Sequence, residues 1–385
     1  MPDTAAIAER ARATGRLGID TEFMGEGRYR PLLCLVQVAT MGDNGDADVT
    51  VLDPLIDPAF DHEPLAEILA DPEIEIVLHA GRQDVAILRR CWQTNIVNIF
   101  DTQIAAGFAG MRAQLGYEAL LNEVLGIRLG KSASFTKWDA RPLSAEQVDY
   151  ARGDVLHILQ AAESLSDRLD EMGRLGWALE ECRFLEDIND DREVDALFER
   201  LPRIAGLDPG ARAVARELVA WREDVARESD RPASGVLQDA ALVEIAKRKP
   251  ATTERLAQIR GLHDGILRRR GEGIIAAVQR GRELPGIPSE GDRPPPVSAR
   301  DAPLIALSEA LVRMRALDAD VAYELLAARA DLQRIVSAVR DGLPEPDVRT
   351  LQGWRREVVG AELMSLLAGG VALRVGPERS IVVDG

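Results

Sequence analysis

Near residue 170 the chain changes its hydrophobic period, and that change separates what can form a sheet from what cannot. Before it, short β-rich runs, LGIDTEF (17–23), PLLCLVQVAT (31–40), VTVLDP (49–54) and IEIVLHA (74–80), precede or alternate with helical patterns. After it, apolar residues recur at three- and four-residue spacing almost throughout. The first three runs are joined by the polar or Gly-rich segments GEGRYR and MGDNGDAD, which suits an antiparallel meander. The fourth follows a helical stretch, HEPLAEILADP, which suits a crossover connection. The pattern predicts an α/β domain with a mixed sheet over 1–170, a helical connector over 171–209 and a helical domain over 210–283. The stretch ELPGIPSEGDRPPP holds too many breakers for a regular element and places a linker at 284–299. A second helical domain at 300–375 follows, with 376–385 as a loosely held tail. Trp221-Arg222 and Trp354-Arg355, one pair in each helical domain, are a weak trace of a diverged repeat.

A chain of 385 residues exceeds one ordinary core, which agrees with several domains. No apolar run approaches the roughly 18 residues of a membrane span, and the N-terminus lacks the apolar core of a signal peptide. The expectation is a cytoplasmic protein with no membrane partner. Cys34, Cys91 and Cys182 lie far apart among apolar neighbours, so neither a disulfide framework nor a zinc site is expected. The net charge of −17 opposes a nucleic-acid partner at first sight. Its distribution weakens that objection. Residues 1–170 hold 15 basic and 27 acidic side chains, a net of −12, whereas residues 211–282 hold 15 basic and 10 acidic, a net of +5. Such a chain can separate catalysis from substrate capture, or can simply carry an uneven solvated surface.

In LGIDTEF, Asp20 and Glu22 are two apart within a largely apolar strand, so both carboxylates lie on one face. Two like charges held close together are costly unless something neutralises them. Asp-x-Glu alone is a weak signal in so acidic a chain, and further acids in matching contexts are needed. One is Asp84, in the first turn of a helix that begins just after the strand IEIVLHA. The helix dipole favours an acid there, and a strand end is also where ligands bind in α/β domains. Another is in RPLSAEQVDYARGDV, where Ser144 and Gln147 are spaced as a capping box and Tyr150 and Asp154 are one helical turn apart. A solvated Tyr/Asp pair would look the same. Four acids from a strand, a helix start and a later helix suit Mg²⁺ or Mn²⁺, and two such ions form the clamp used for in-line phosphoryl displacement.

DTEF, HAGRQD and YARGD, in this order, resemble the three exonuclease motifs of the DEDD superfamily, and the tyrosine four residues before the last Asp resembles its tyrosine subclass. LLCLVQVAT, DTQIAAGF and KSASFTKWDARPLSAEQVDYARGDV are similar to ribonuclease D more than to polymerase proofreading domains. WREDVARESDRPASGVLQDAALVEIAKRKP resembles the helicase-and-ribonuclease-D C-terminal (HRDC) domain, and LQGWRREVVGAELMSLL a second such domain. The resemblance implies an α/β ribonuclease-H-like exonuclease domain followed by two all-α HRDC-type domains. It implies that Asp20, Glu22, Asp84 and Asp154 hold two divalent metals, Mg²⁺ or Mn²⁺, and that Tyr150 orients the attacking water. The implied reaction is hydrolysis of the 3′-terminal phosphodiester of RNA, transfer-RNA precursors and small structured RNAs included, with release of nucleoside 5′-monophosphates. Gly153 stands where Ala or Asp is familiar and takes ~1 kcal/mol from the helix there. No implied metal ligand is missing.

Other residues have two readings each. Phe23 and Met24 pack against the terminal nucleotide or belong to the core; His79 reaches the scissile region or is structural; Gln83 is placed to bond the 3′ terminus. Lys131 and Arg141 are candidate phosphate contacts beside the site. Lys247, Arg248, Lys249, Arg268, Arg269 and Arg270 are candidate phosphate contacts in the first helical domain, or cations answering helix dipoles. Three functions are consistent with these residues: a 3′–5′ exoribonuclease, which the intact acidic set favours, a DNA-directed exonuclease, or a non-catalytic RNA-binding module. A monomer is expected.

Overall fold

The computed structural model describes residues 2–42, 45–57, 60–112, 114–128, 137–289, 298–377 and 380–384. Two compact units emerge, one of residues 1–22, 34–189 and 293–385, the other of residues 23–33 and 190–292.

The first unit is organised by a five-stranded mixed sheet. Its strands are β1 (Arg16–Met24), β2 (Leu32–Met41), β3 (Ala47–Leu52), β4 (Glu75–Leu78) and β5 (Ile99–Asp101), in the order β3-β2-β1-β4-β5. β2 and β3 are antiparallel, with Val36 opposite Leu52. β4 runs parallel to β1, Leu17 opposite Ile76, and parallel to β5. β5 was not marked by periodicity, because three residues are too few to show alternation. Helices α1 (Thr4–Thr14), α2 (Glu63–Leu69), α3 (Arg82–Trp92), α4 (Thr102–Phe108), α5 (Tyr117–Leu125), α6 (Ala145–Leu156), α7 (Ile158–Glu171) and α8 (Leu175–Glu186) complete this fold. Gly18 lets α7 approach the sheet, since a Cβ there would stand 2.5 Å from Ile158 Cγ2.

The second unit is helical. It comprises α9 (Val194–Glu199), α10 (Pro209–Glu228), α11 (Ala233–Val236), α12 (Asp239–Arg248), α13 (Thr253–Leu256) and α14 (Asp264–Glu283). Asp208 starts α10 by accepting from the Ala211 amide at 2.8 Å, with Pro209 at the first helical position, where its missing N–H is not needed. Val214, Leu218, Ile274 and Val278 are buried in this unit's core. Gly281 brings α14 against α10, because a Cβ there would lie 2.5 Å from Val214 Cα. Tyr29, from the turn after β1, is buried in the same core with the Arg192 guanidinium 5.0 Å from its ring centre.

Helices α15 (Asp301–Asp318), α16 (Tyr323–Leu326), α17 (Arg329–Asp341), α18 (Gly353–Arg355) and α19 (Ala361–Leu367) return to the first unit and share its core. Trp354 is the centre of that junction: it meets Phe108 edge-on at 4.8 Å and stacks on Trp177 at 5.4 Å. The chain ends in a hairpin of β6 (Ala372–Val375) and β7 (Ile381–Asp384), with Leu373 opposite Val383. Within the stretch expected as a loose tail, residues 381–384 form a strand, consistent with the β-branched run Ile381-Val382-Val383. Beside Trp354, the buried Arg355 donates from Nε to Leu325 O at 2.6 Å and from Nη2 to the equally buried Glu181. Glu181→Ala leaves that guanidinium buried without its counter-charge and is expected to destabilise the first unit by about 3 kcal/mol. The shift of the urea midpoint, compared with Glu181→Gln, checks this.

Candidate active site

Burial along β1 explains why its acids converge. Leu17 and Ile19 are fully buried, while Asp20 and Glu22 face a partly open side. Helix α6 brings the third acid to them. Its start is fixed by the capping box, in which Gln147 N donates to Ser144 Oγ at 3.2 Å and Ser144 N to Gln147 Oε1 at 2.9 Å. Carboxylate oxygens of Asp20, Glu22 and Asp154 all lie within 4.8 Å of one another. Among the described residues no Lys or Arg forms an ion pair with any of them.

Asp84 occupies the first turn of α3, as its sequence context predicts, and is buried. Its carboxylate accepts from Thr21 Oγ1, the residue between Asp20 and Glu22, so strand and helix are tied at the site. The turn before α3 is held by Asp101. That side chain accepts from Ala80 N at 3.1 Å and Gly81 N at 2.9 Å while also capping α4 through Gln103 N at 2.8 Å. Ala80 adopts φ +55°, a conformation that disfavours a side chain and needs such support. Thr21 and Asp101 were not singled out in the sequence. Asp101 carries a readable signal, an acid just before a helix, whereas the Thr21 contact spans 63 residues and has none.

The electrostatics follow from crowding acids in a poorly hydrated place. Burial first, then the charges of Asp84, Asp154 and Glu22, push Asp20 well above the usual carboxylate range. Glu22 is raised to about 8 by burial, then by Asp154 and Asp84. Asp154 is raised to about 7 by burial, with the Tyr150 hydroxyl working the other way as a hydrogen-bond partner. Burial and the neighbouring carboxylates hold the Tyr150 phenol above its ordinary value, so it is a neutral hydroxyl at neutral pH. Trp138 packs 6.0 Å from the Tyr150 ring. A set of hard oxygen donors with no ion-paired protein cation among the described residues fits divalent ions such as Mg²⁺ or Mn²⁺.

Several further candidates have other employment. Arg141, expected as a phosphate contact, is engaged as a clamp in this structure. It donates from Nε and Nη2 to Asp53 at 2.8 and 2.6 Å, from Nη2 to Cys34 O at 3.1 Å, and from Nη1 to Trp138 O and Ala140 O at 2.7 and 2.8 Å. All five of its N–H groups are thereby taken. His79 is hydrogen-bonded within the fold: Thr102 donates to Leu78 O at 3.0 Å, so its oxygen accepts from His79 Nδ1 at 2.9 Å. Burial lowers the His79 pKa and keeps the ring neutral. Gln83 is exposed, and Phe23 and Met24 are half-buried at the end of β1. Lys131 lies outside the described residues. In the second unit Arg248 pairs with Glu244, Lys249 with Asp208, and Arg270 donates to Gly235 O and Val236 O. Lys247, Arg268 and Arg269 are exposed without an ion-pair partner among the described residues.

Comparison with known proteins places the chain in a family. A 3′–5′ exonuclease family model matches residues 3–170, and an HRDC domain model matches residues 211–278. Ribonuclease D of Gluconacetobacter diazotrophicus is 38% identical, covering 98% of this chain and 94% of the relative. Ribonuclease D of Granulibacter bethesdensis is 37% identical over 100% of this chain and 95% of its own. The crystal structure of Escherichia coli RNase D, an exoribonuclease involved in structured RNA processing, superimposes with a TM-score of 0.83 at 27% identity. That match covers 95% of this chain and 96% of that one. The fold and its relatives define a hydrolytic, metal-dependent 3′–5′ exoribonuclease. The chain belongs to the ribonuclease D family.

The raised acids set a pH dependence. A carboxyl whose folded pKa exceeds its unfolded value contributes stability that is complete below the unfolded value and lost as pH rises through the folded one. For Glu22 and Asp154 that window runs from about 4 to about 8. Asp154→Asn is expected to stabilise the protein in EDTA at pH 8 by about 1–3 kcal/mol, a gain that shrinks toward pH 4. Thermal melts across that range, with and without Mg²⁺, test it; Mg²⁺ is expected to stabilise wild type far more than the variant.

Proposed function

We propose that Asp20, Glu22, Asp84 and Asp154 hold two divalent cations, Mg²⁺ or Mn²⁺, over the 3′ end of an RNA strand. The observation that carries this is the convergence of three carboxylates within 4.8 Å without an ion-paired protein cation among the described residues, on a ribonuclease D family fold. When bound, such ions neutralise charge on the attacking and leaving oxygens of an in-line displacement at phosphorus.

The chain's own residues then do the positioning. Tyr150, as a neutral hydroxyl, donates to Asp154 and accepts from the attacking water, which fixes where that water's lone pair points. Trp138 holds the Tyr150 ring, and the Arg141–Asp53 clamp holds the Trp138 segment. Water adds to the terminal phosphorus, the bond to the penultimate 3′ oxygen breaks, that oxygen takes a proton, and a nucleoside 5′-monophosphate leaves. The substrates we assign are 3′ ends of small structured RNAs, transfer-RNA precursors among them. The helical domain at 210–283 serves RNA capture, and the enzyme acts as a cytoplasmic monomer.

Digestion of a 5′-labelled single-stranded RNA and its DNA counterpart tests this reading. RNA is expected to shorten from its 3′ end with Mg²⁺ or Mn²⁺, not in EDTA, and not with Asp154→Ala. Tyr150→Phe is expected to lower kcat by about 10²–10⁴-fold with little change in KM. Equal or faster shortening of DNA would remove the RNA assignment, and binding without shortening in either metal would remove the catalytic one.

A further inference from the structure

A cavity of about 410 Å³ opens on the unit of residues 23–33 and 190–292, and the exonuclease chemistry makes no use of it. Four arginines line it, Arg28, Arg192, Arg200 and Arg222, against one acid, Asp239. They come from separate stretches of chain: the turn after β1, the residues around α9, and α10. Three of them are held in place by acids. Arg28 pairs with Asp230 at 2.9 Å, Arg192 with Glu223 at 2.6 Å and Arg222 with Asp239 at 2.5 Å. Arg222 is only 5% exposed, yet its Nε has no hydrogen-bond partner among the described residues and stands 3.8 Å from Glu223 Oε1. Arg200 is exposed and has no ion-pair or hydrogen-bond partner for its side chain among the described residues.

Three of these guanidinium groups are answered by acids and Arg200 by none among the described residues, so in a chain of net charge −17 the cavity carries an uncompensated positive charge that an anion would satisfy. Guanidinium groups match the oxygens of a phosphate in pairs, and a cavity of this size takes a nucleotide unit more readily than a bare ion. We propose that this cavity binds a backbone phosphodiester of the RNA being shortened, with Arg200 as its free charged contact. That the polymer is RNA rests on the exoribonuclease reading; that the ligand is a phosphate rests on the arginines alone. The turn that supplies Arg28 follows directly on the strand that carries Asp20 and Glu22, so one stretch of chain serves both sites.

The test is binding of a labelled single-stranded RNA to the full chain in EDTA, across a salt series, by fluorescence anisotropy. Arg200→Glu is expected to weaken binding about tenfold and to lower the slope of log affinity against log salt by about one. Arg200→Ala should give a smaller loss of the same sign with an unchanged melting curve. Arg282→Glu makes the same charge change at the end of α14, outside the cavity, and is expected to leave affinity within about twofold. Equal losses at Arg200 and Arg282 would reduce the effect to bulk charge and overturn the site. Adenosine 5′-monophosphate binding, followed by calorimetry, separates the sources of phosphate: loss of nucleotide binding in Arg200→Glu with RNA binding intact would overturn the backbone assignment. Wild-type protein that binds RNA through Arg200 but shortens none with Mg²⁺ would fail the exoribonuclease reading and still support the phosphate site.

Discussion

Repulsion among Asp20, Glu22 and Asp154 is the interaction on which the rest of the structure depends. Three carboxylates within 4.8 Å, partly removed from water, are an unfavourable arrangement that only a strong surrounding fold can impose. That fold is the sheet. Leu17 and Ile19 are fully buried on β1 and leave Asp20 and Glu22 no choice of side. The same crowding that raises their pKa values makes the site a ready holder of hard cations, because bound positive charge removes the penalty.

Such a site works only if its parts stay in register, and the supporting contacts join elements far apart in sequence. Thr21 links β1 to α3 through Asp84, and Asp101 pins the strained turn that aims α3. Arg141 spends all its donors on Asp53 and main-chain carbonyls, which fixes the segment carrying Trp138 against Tyr150. Arg141 is paired with Asp53, whereas Asp84 and Asp101 bring carboxylate charge of their own, offset by hydrogen bonds from Thr21 and from main-chain amides.

The helical parts divide into two kinds. Residues 301–367 share a core with the α/β fold around Trp354, Phe108 and Trp177. The unit of 23–33 and 190–292 has its own core and gathers arginines around a cavity, although the chain as a whole is acidic. Segregating charge in this way gives one polypeptide an acidic cluster at one place and an arginine-lined cavity at another, each set by local rather than net charge. The local environment of Arg222 and Arg355 is alike in one respect. Both are buried guanidinium groups answered by acids, and both follow a tryptophan in sequence.

The sequence alone determined the elements and the chemistry carried by short-range pattern. Two-residue spacing placed Asp20 and Glu22 on one face, four-residue spacing placed Tyr150 and Asp154 one turn apart, and the Ser144/Gln147 cap marked the start of their helix. These are local consequences of backbone geometry, legible from neighbours. Tertiary structure alone decided which charged side chains are free. Arg141 and Arg200 look alike as letters, but one has every donor satisfied by groups as much as 107 residues away, and the other has no side-chain partner among the described residues. It also decided that the turn at 23–33 belongs with residues 190–292, and that Trp354 belongs with Phe108 and Trp177. Hydrophobic burial is non-directional, so the apolar pattern shows that a face must be covered without specifying by what.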